Sequence, residues 1–444
     1  MRSLLEKILN AKILFCIVYK LIIDLFFSVY LSDTYSYCGS GASLNSNKYI
    51  VSWLMLFVLL VIRELIINQD MSFIIEILYY LSIVPTLSIY WMKNENTYAM
   101  LLIFCYWIVF EIFAGIFSRE KHINCVQSIM YSHDKLKKDN IVIQFIFIWC
   151  VISILYFSWK YGNFRFFVRF EDVYTYRLAP NNSMSSIGGY IFSWNTNLLI
   201  PLCMNIHLLN KKYLFTVIDI IMILLSYSIY GNKTILFTGM VVIGVWILSK
   251  IRFELFTDKI ISLFLGCIMI VAMIFGNTVV YKWPASLLYR LLYIPSEAHF
   301  YYFDFFQKNE LLYFRQSFLR FFASDPYNKP VSVLIGSDKK YNLVGSYNNL
   351  NNGLFSDAYM NFGVIGVMIF PIIIVVVLCV IIKALQSYED VIRYSFFIVL
   401  LMYCISASLF TWLLSGGVIL AIFIFNVIGQ TGIHLGIAKY NTGG

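Results

Sequence analysis

The stretch YAMLLIFCYWIVFEIFAGIF, residues 98–117, contains a single charged residue, Glu111. About twenty apolar residues in a helix are long enough to cross the hydrocarbon core of a bilayer, which is about 30 Å thick. In lipid, every backbone N–H and C=O must be paired within its own element, so a helix is the economical structure for such a run. The stretch therefore predicts a transmembrane helix.

Similar runs recur along the whole chain. The 444 residues are 60% hydrophobic and 13% charged, and the mean hydropathy is +0.76, whereas a soluble domain has roughly 25% charged residues. We therefore expect an all-α integral membrane protein with about twelve transmembrane helices, forming one polytopic membrane domain. The predicted spans are Ala11–Leu31, Tyr49–Ile67, Ser72–Trp91, Tyr98–Phe117, Ile141–Trp159, Ile187–Leu209, Tyr213–Tyr230, Thr234–Ser249, Lys259–Val280, Leu354–Leu385, Ile392–Phe410 and Leu414–His434.

Basic residues are concentrated in alternate connections between these spans. In one set, the 118–140 connection alone holds Arg119, Lys121, Lys135, Lys137 and Lys138. The short loops of the other set hold only Lys48, Lys93 and Lys233. Cytoplasmic loops carry the excess of Lys and Arg, so this asymmetry predicts that both termini are cytoplasmic, in a bacterial-type plasma membrane.

Two long segments on the predicted external side are also basic. They are residues 160–186 and 281–352, and in both of them Lys and Arg alternate with aromatic residues. Long loops are translocated largely regardless of charge, so they do not overturn the topology. Their composition suits an anionic amphiphile presented from the bilayer. The longer one is expected to be partly helical, with Pro284 and Pro295 each in the first turn of a short helix.

Cysteine and acidic residues give no sign of a metal or cofactor. The nine cysteines are scattered singly, and only Cys38 falls in a predicted external loop. No pair has metal-ligand spacing, and acidic residues do not cluster in a metal-binding motif. We expect no dedicated metal site and no cofactor.

Four groups of polar and aromatic residues fall on the predicted external side, so the membrane holds them at one depth. They are residues 173–177 with 188–190, residues 231–237, Arg290 with residues 295–306, and residues 346–366.

The fourth group leads into a span that is too long for one perpendicular crossing at about 1.5 Å per residue. We expect Leu354–Phe362 to enter the membrane as a kinked or cavity-lining turn, with Asn351 or Asn352 as the N-cap. Gly353, Asp357 and Asn361 are spaced by four residues, so they are expected to share one helix face.

The span order and loop sizes resemble those of Wzy-type oligosaccharide repeat-unit polymerases of O-antigen and capsule assembly. Arg177, ten residues and then Gly188 match the family's R-x(10)-G pattern in the first long external loop. In the second long loop, Arg290, Arg315 and Arg320 have no glycine at that spacing. The resemblance extends to O-antigen ligases and other GT-C-type glycosyltransferases, although the ligases' histidine and glutamate motif is missing here.

The resemblance implies a GT-C-like helix bundle that polymerises lipid-linked oligosaccharide repeat units on the external leaflet. Donor and acceptor would both be carried on polyprenyl pyrophosphate, and a chain-length regulator and a flippase of the same pathway are the expected protein partners. As the glycosidic bond breaks, negative charge develops on the departing pyrophosphate, and fixed cations stabilise that charge. Arg177, Lys233 and Arg290 are the candidates for this role.

Each of these cations also has a structural interpretation. Arg177 could anchor its loop to lipid phosphates, Lys233 could extend its side chain to the interface, and Arg290 could pair with Glu297. Candidate general bases are Asp357, Glu297, His299 and Asp304, and spacing alone does not choose among them. Candidate glycan-binding residues are Tyr301, Tyr302, Asn348, Asn352 and Asn361, where the tyrosines could equally belong to an interfacial aromatic belt.

Ionisable residues inside spans are costly and often functional. Lys20 and Asp24, spaced by four residues in the first span, are expected to neutralise each other, and Asp219 in the seventh span has no evident partner.

The chief alternative function is a flippase for lipid-linked oligosaccharides or another transporter. A transporter is expected to place its charges near the membrane midplane and often has repeated halves, whereas this chain carries cations in two long external loops and shows no internal repeat. An O-antigen ligase or a scaffold without catalytic activity are further alternatives.

Overall fold

The computed structural model describes residues 11–35, 41–66, 69–119, 141–162, 164, 184–250, 259–275, 282–317, 320, 322–337, 349–386 and 388–437. Within these ranges the chain is almost entirely helical and contains no β-strand. The all-α prediction is therefore confirmed for this part of the chain.

The described helices are numbered in chain order. They are α1 (residues 11–34), α2 (Ser46–Ile66), α3 (residues 69–92), α4 (Thr97–Arg119), α5 (Ile141–Gly162), α6 (residues 186–209), α7 (Tyr213–Tyr230), α8 (Lys233–Ser249), α9 (Lys259–Phe275), α10 (residues 282–306), α11 (Val331–Gly336), α12 (Phe355–Leu385), α13 (Asp390–Cys404), α14 (Leu409–Leu413) and α15 (Val418–Ile437).

Each predicted span falls on a helix, but fewer than twelve of these helices are long and apolar enough to cross a membrane. Seven described helices are long and apolar enough to span a bilayer, and α8 and α9 are shorter apolar helices. This is the pattern of a membrane protein, while the number of twelve spans remains a prediction. The seven are Ile13–Thr34, Met71–Met92, Thr97–Phe117, Ile141–Gly162, Tyr213–Tyr230, Phe355–Leu385 and Leu409–Ile428.

Three helices widen into a π turn just before a proline. The π segments are Tyr79–Ile83, Asn195–Leu199 and Tyr289–Tyr293, and the prolines two residues after them are Pro85, Pro201 and Pro295. A proline has no N–H to donate, and its ring clashes with the carbonyl four residues earlier. The extra residue in the π turn relieves this clash, so the helix continues. Pro295 therefore lies near the start of an α-helical segment, as predicted, but after a π turn instead of a loop.

The long helix α12 is broken at Gly363, which confirms the kink expected from its length. Gly363 has φ 56° and ψ −136° inside the helical run. Residues with a Cβ rarely adopt this combination, whereas glycine does so at little cost. The short segment Phe355–Phe362 is thereby set apart from the apolar remainder of α12, and it carries Asp357 and Asn361.

Replacing Gly363 with alanine is expected to lower the free energy of unfolding by about 1–3 kcal/mol, because the added Cβ strains this backbone conformation. The nearest atom to the new Cβ would be Leu311 Cδ1 at 3.4 Å, so the cost is conformational rather than a steric clash. Thermal unfolding in detergent measures the effect. Gly244→Ala is the control, because Gly244 lies within α8 and a Cβ there meets nothing within 4 Å. An equal melting temperature for both variants would contradict the strain argument.

The chain divides into two compact units. The first comprises Met1–His122, Glu254–Cys379 and Leu401–Phe410, and the second comprises Ile123–Phe253, Val380–Leu400 and Thr411–Gly444. In the first unit α1 packs against α3 and α9, and α2 packs against α3 and α4. In the second unit α6, α7 and α8 pack against one another, and α5 packs against α6 and α7.

The first unit buries the ion pair that the spacing in α1 predicts. Lys20 Nζ donates to both carboxylate oxygens of Asp24, at 2.6 and 2.7 Å, which confirms that pairing. Trp91 Nε1 also donates to Asp24, at 3.0 Å, and the Lys20 ammonium lies 5.3 Å from the centre of the Trp53 ring.

In the second unit, Asp219 has a partner that the sequence did not reveal. His207 Nδ1 lies 2.6 Å from Asp219 Oδ2, across the α6–α7 turn. The two residues are twelve positions apart, so no helical spacing relates them.

Candidate functional site

Five candidate residues of the long predicted external segment lie on one helix, namely Glu297, His299, Tyr301, Tyr302 and Asp304. This helix, the α-helical part of α10 (Ile294–Phe306), packs against Val84–Met92 of α3 and against α4. Glu297 and His299 are polar but are each only 1% exposed. A buried polar group must find a hydrogen-bond partner or else carry a free-energy cost. The partners of these side chains therefore define the site.

Glu297 lies at the centre of the first polar cluster. Lys93, in the turn between α3 and α4, donates from Nζ to Glu297 Oε1. Tyr301, one turn further along α10, donates its hydroxyl to the same oxygen at 3.0 Å. Lys93 Nζ also lies 2.9 Å from the Tyr301 hydroxyl. This arrangement of a carboxylate, an ammonium and a phenol is called the Glu297 cluster. Lys93 is 204 residues from Glu297 in sequence, and Tyr301 is 4 residues from it.

Two hydroxyl groups on the same helix lack partners. The Tyr293 hydroxyl and Ser296 Oγ are buried and have no hydrogen-bond partner among the described residues. Tyr293 precedes Glu297 by one helical turn, and Ser296 is its immediate neighbour in sequence. An unmade hydrogen bond of this kind costs about 1–3 kcal/mol. Glu297 is thus accompanied by polar groups that could bind a further hydroxyl.

His299 connects α10 to the first turn of α12. Its Nδ1 lies 3.2 Å from Ser356 Oγ, and its ring contacts the Phe355 ring edge to face, with the centroids 5.9 Å apart. Burial lowers the pKa of His299 to about 3, so the imidazole is neutral at neutral pH. A base of such low pKa accepts a proton poorly at neutral pH. The geometry fits a hydrogen-bonding contact between the two helices.

Asp357 is surrounded by hydrogen-bond donors. Its Oδ1 accepts from Asn352 Nδ2 at 3.0 Å and from Asn361 Nδ2 at 3.1 Å. Its Oδ2 accepts from the backbone N–H of Leu409 at 2.7 Å. Asn361 is oriented in turn, because its Oδ1 accepts from the backbone N–H of Phe314 at 2.8 Å. Asp357, only 2% exposed, thus joins three chain segments, and these contacts account for its burial without any ligand.

The N-cap prediction for α12 is corrected by this arrangement. The helix begins at Phe355, so its N-cap position is Leu354 and not the expected Asn351 or Asn352. Asn352 turns its side-chain amide to Asp357 instead of to the first helical N–H groups. The shared face predicted for Asp357 and Asn361 is confirmed by their hydrogen bond, whereas Gly353 precedes the helix.

Tyr302 attaches α10 to the segment before α12. Its hydroxyl donates to the carbonyl oxygen of Leu350 at 2.8 Å, and the side chain is 1% exposed. The neighbouring residue Phe303 stacks near Tyr359, with ring centroids 4.9 Å apart. Tyr301 and Tyr302 are therefore both packed into the protein, and neither presents an open ring face. Their predicted role as a sugar platform remains untested.

The other nominated residues are placed as follows. Asp304 is half-buried on α10, and Arg290 is exposed in its π turn. Arg177 and Asn348 lie outside the described residues, and of Lys233 only its backbone position at the start of α8 is described. The structure thus brings Glu297 and Tyr301 together in one group, and Asn352, Asp357 and Asn361 in a second. His299 and Tyr302 contact the chain segment of the second group at Ser356 and Leu350. The predicted meeting of Arg177, Lys233 and Arg290 remains a prediction.

Two residues of the site were not anticipated, Lys93 and Ser356. Lys93 is one of only three lysines in the short predicted external loops. Basic residues are uncommon in such loops, and this feature of the sequence could have indicated a specific role for Lys93. Ser356 gave no signal, because a serine beside a helix start is usually read as a cap.

Parts of the first unit that are predicted to be external also contact one another. Tyr35, after α1, stacks on Tyr289 of α10 with ring centroids 4.4 Å apart. Lys48 Nζ donates to the carbonyl oxygens of Asn94, at 3.1 Å, and Glu95, at 2.5 Å. Three connections that the charge rule assigns to one side of the membrane therefore meet at one end of this unit.

The second unit contains an apolar cavity of about 310 Å³. Trp149 of α5, Trp194 of α6 and Phe423 of α15 are among its lining residues, and Asn195 is its polar member. Such a lining suits a hydrocarbon chain.

In the part of the chain that the structure describes, no three His, Cys, Asp or Glu side chains are grouped so that they could hold a metal ion. Comparison with known proteins adds no assignment, because no family model, curated protein or solved structure matches this chain.

Proposed function

We propose that this protein is a membrane glycosyltransferase that polymerises oligosaccharide repeat units carried on polyprenyl pyrophosphate, at the external face of a bacterial plasma membrane. The observation that carries the proposal is the Glu297 cluster. It joins the Glu297 carboxylate to the Lys93 ammonium, next to two hydroxyls without a hydrogen-bond partner among the described residues, on a helix of the long segment that is predicted to be external. The contacts among predicted external connections and the apolar cavity of the second unit agree with a lipid-linked substrate.

In this proposal Glu297 is the general base among the four candidates. Asp357 already accepts three hydrogen bonds, and His299 is too weak a base at neutral pH. The partners of Glu297 include the Lys93 ammonium and the Tyr301 phenol, and the hydroxyl of an acceptor sugar could replace the phenol. Glu297 would then take the proton of that hydroxyl as its oxygen attacks the anomeric carbon of the donor sugar. The bond to the polyprenyl pyrophosphate breaks, and the pyrophosphate leaves with the bonding electrons.

The cations of the long external loops stabilise that departing charge in this scheme. Arg177→Ala and Arg290→Ala are each expected to lower chain extension about 10²–10³-fold, the typical loss when one charge-stabilising contact is removed. The length distribution of surface glycan measures the effect. Arg393→Ala is the control, because Arg393 lies in the first turn of α13, at the end of that helix predicted to be cytoplasmic, and pairs there with Asp390 at 3.0 Å. Long glycan ladders in both loop variants would contradict a role in holding pyrophosphate.

The test of the function itself uses purified protein in detergent with lipid-linked repeat units extracted from the producing cells. Polymer of increasing length is expected on incubation, with release of polyprenyl pyrophosphate. Detergent leaves no compartments, so polymer formed there cannot arise from transport. Unchanged repeat units, under conditions in which the protein stays folded, would contradict the proposal.

A flippase for the same lipid-linked oligosaccharides is the second candidate. The observation in its favour is the presence of ionisable pairs buried within apolar helices, namely the ion pair of Lys20 with Asp24 and the hydrogen-bonded pair of Asp219 with His207. Charges within the membrane often mark the path of a transported substrate or ion. If the detergent assay gives no polymer, repeat-unit transfer between the leaflets of liposomes containing the protein would favour this candidate.

A further inference from the structure

A second polar cluster in the first unit takes no part in the proposed reaction. It joins Arg63 of α2, Glu76 and Tyr79 of α3, and Glu111 of α4. Arg63 Nη2 lies 4.0 Å from Glu76 Oε1, and the guanidinium carbon lies 5.4 Å from the centre of the Tyr79 ring. The Tyr79 hydroxyl donates to Glu111 Oε1 at 2.5 Å. The four side chains therefore form one connected group.

This group is buried, and two of its three helices, α3 and α4, are long and apolar enough to cross a membrane. Arg63 is 4% exposed, Glu76 is 2% exposed, and Tyr79 and Glu111 are not exposed at all. Glu111 lies about 12 Å along α4 from its end at Arg119, at a rise of about 1.5 Å per residue. An ionised carboxylate at such a place is very costly unless an opposite charge compensates it.

The charges of the group do not balance. One guanidinium faces two fully buried carboxylates, Glu76 and Glu111. Glu64 also accepts from Arg63, at 3.0 Å, but its side chain is 22% exposed and reaches the surface. The Cys16 thiol of α1 and the Tyr80 phenol of α3 also face the cluster, and neither adds a positive charge. Among the described residues of the cluster, the single guanidinium therefore cannot neutralise both buried carboxylates.

The neighbours of the two carboxylates identify the one that the guanidinium does not neutralise. Glu76 Oε1 lies 4.0 Å from Arg63 Nη2, whereas Glu111 Oε1 accepts from the neutral phenol of Tyr79. Glu111 Oε2 is buried and has no hydrogen-bond partner among the described residues, so a proton fits there. A proton on Oε2 would remove the excess charge. A metal ion would be repelled by the guanidinium of Arg63, so a proton is the cation that suits this site.

We infer that these residues form a proton-binding site within the membrane, in which Glu111 carries one proton while Glu76 stays ionised beside Arg63. The inference does not depend on the proposed transfer reaction. It assigns a function to charged residues that the reaction leaves unused, and it provides a site at which proton uptake or release can be coupled to movement of α3 and α4.

Infrared spectroscopy of the full-length protein in lipid nanodiscs tests the inference. At neutral pH the wild type is expected to show the C=O stretching band of a protonated carboxylic acid. Glu111→Gln is expected to abolish this band. Tyr79→Phe is expected to retain it at a higher frequency, because the hydrogen bond to Glu111 Oε1 is lost while the proton stays.

Glu310→Gln is the matched control, because Glu310 is 61% exposed and pairs with Arg315 at the surface. This variant is expected to keep the wild-type band. Absence of the band from the wild type at neutral pH would overturn the inference even if Glu111→Gln fails to fold. A band whose frequency is the same in Tyr79→Phe would also overturn it, because the proton would then lie on another residue.

Discussion

Glu297→Gln is expected to lower polymer formation by about 10²–10⁴-fold, the range usually lost with a general base. The glutamine has the shape of the glutamate and keeps an oxygen that can accept from Tyr301, but it cannot take a proton from the acceptor hydroxyl. The rate of polymer formation from lipid-linked repeat units in detergent measures the effect. Glu310→Gln, on the exposed surface of the same segment, is the control and should polymerise at the wild-type rate.

A purely structural role for Glu297 must be distinguished from a catalytic one. Glu297→Gln leaves the ammonium of Lys93 without its buried partner, and breaking a buried ion pair typically costs about 3–5 kcal/mol of stability. The double variant Lys93→Met with Glu297→Gln removes both charges and should recover most of that stability. The double variant is nevertheless expected to stay inactive. Recovery of polymer formation together with stability would mean that the pair only holds α10 in place.

Asp357→Asn is expected to lower the free energy of unfolding by about 2–4 kcal/mol. All three partners of the carboxylate are donors, namely Asn352, Asn361 and the N–H of Leu409. An asparagine has one acceptor oxygen, so in either orientation its NH₂ group faces a donor. A buried donor left without an acceptor costs about 1–3 kcal/mol, and more is lost when the acceptor was charged.

Thermal unfolding in detergent compares this variant with Asp390→Asn. Asp390 is 51% exposed on its side chain and pairs with Arg393 at the surface, and such pairs contribute about 0–1 kcal/mol. A melting temperature for Asp357→Asn as high as that of Asp390→Asn would contradict a stabilising role for the three hydrogen bonds that Asp357 accepts. It would also return Asp357 to the candidates for the general base.

The sequence predicted the helices well because their cause is local. Apolar runs such as residues 98–117 must be helical in lipid, so length and hydropathy suffice to place α4. The break in α12 also followed from length alone, and Gly363 supplies it. The π turns before Pro85, Pro201 and Pro295 were not predicted, because a proline in an apolar run indicates a disturbance without saying how the chain absorbs it.

The site was less predictable because its contacts are distant in sequence. The hydrogen bond between Asp357 and Asn361 follows from their spacing of four residues, and so does that between Glu297 and Tyr301. Lys93 is 204 residues from Glu297, and His207 meets Asp219 across a turn. No periodicity relates such pairs, since packing of separate helices brings them together.

The central claim is that the segment carrying Glu297 faces the outside of the cell, where lipid-linked glycans are assembled. Labelling of Glu310→Cys with a membrane-impermeant maleimide in intact cells tests it most directly, with the unsubstituted protein as background and Asp390→Cys as the predicted cytoplasmic control. Glu310→Cys should be labelled in intact cells, and Asp390→Cys only after the membrane is permeabilised. Labelling of Glu310→Cys only after permeabilisation would place Glu297 on the cytoplasmic side and contradict the proposed function.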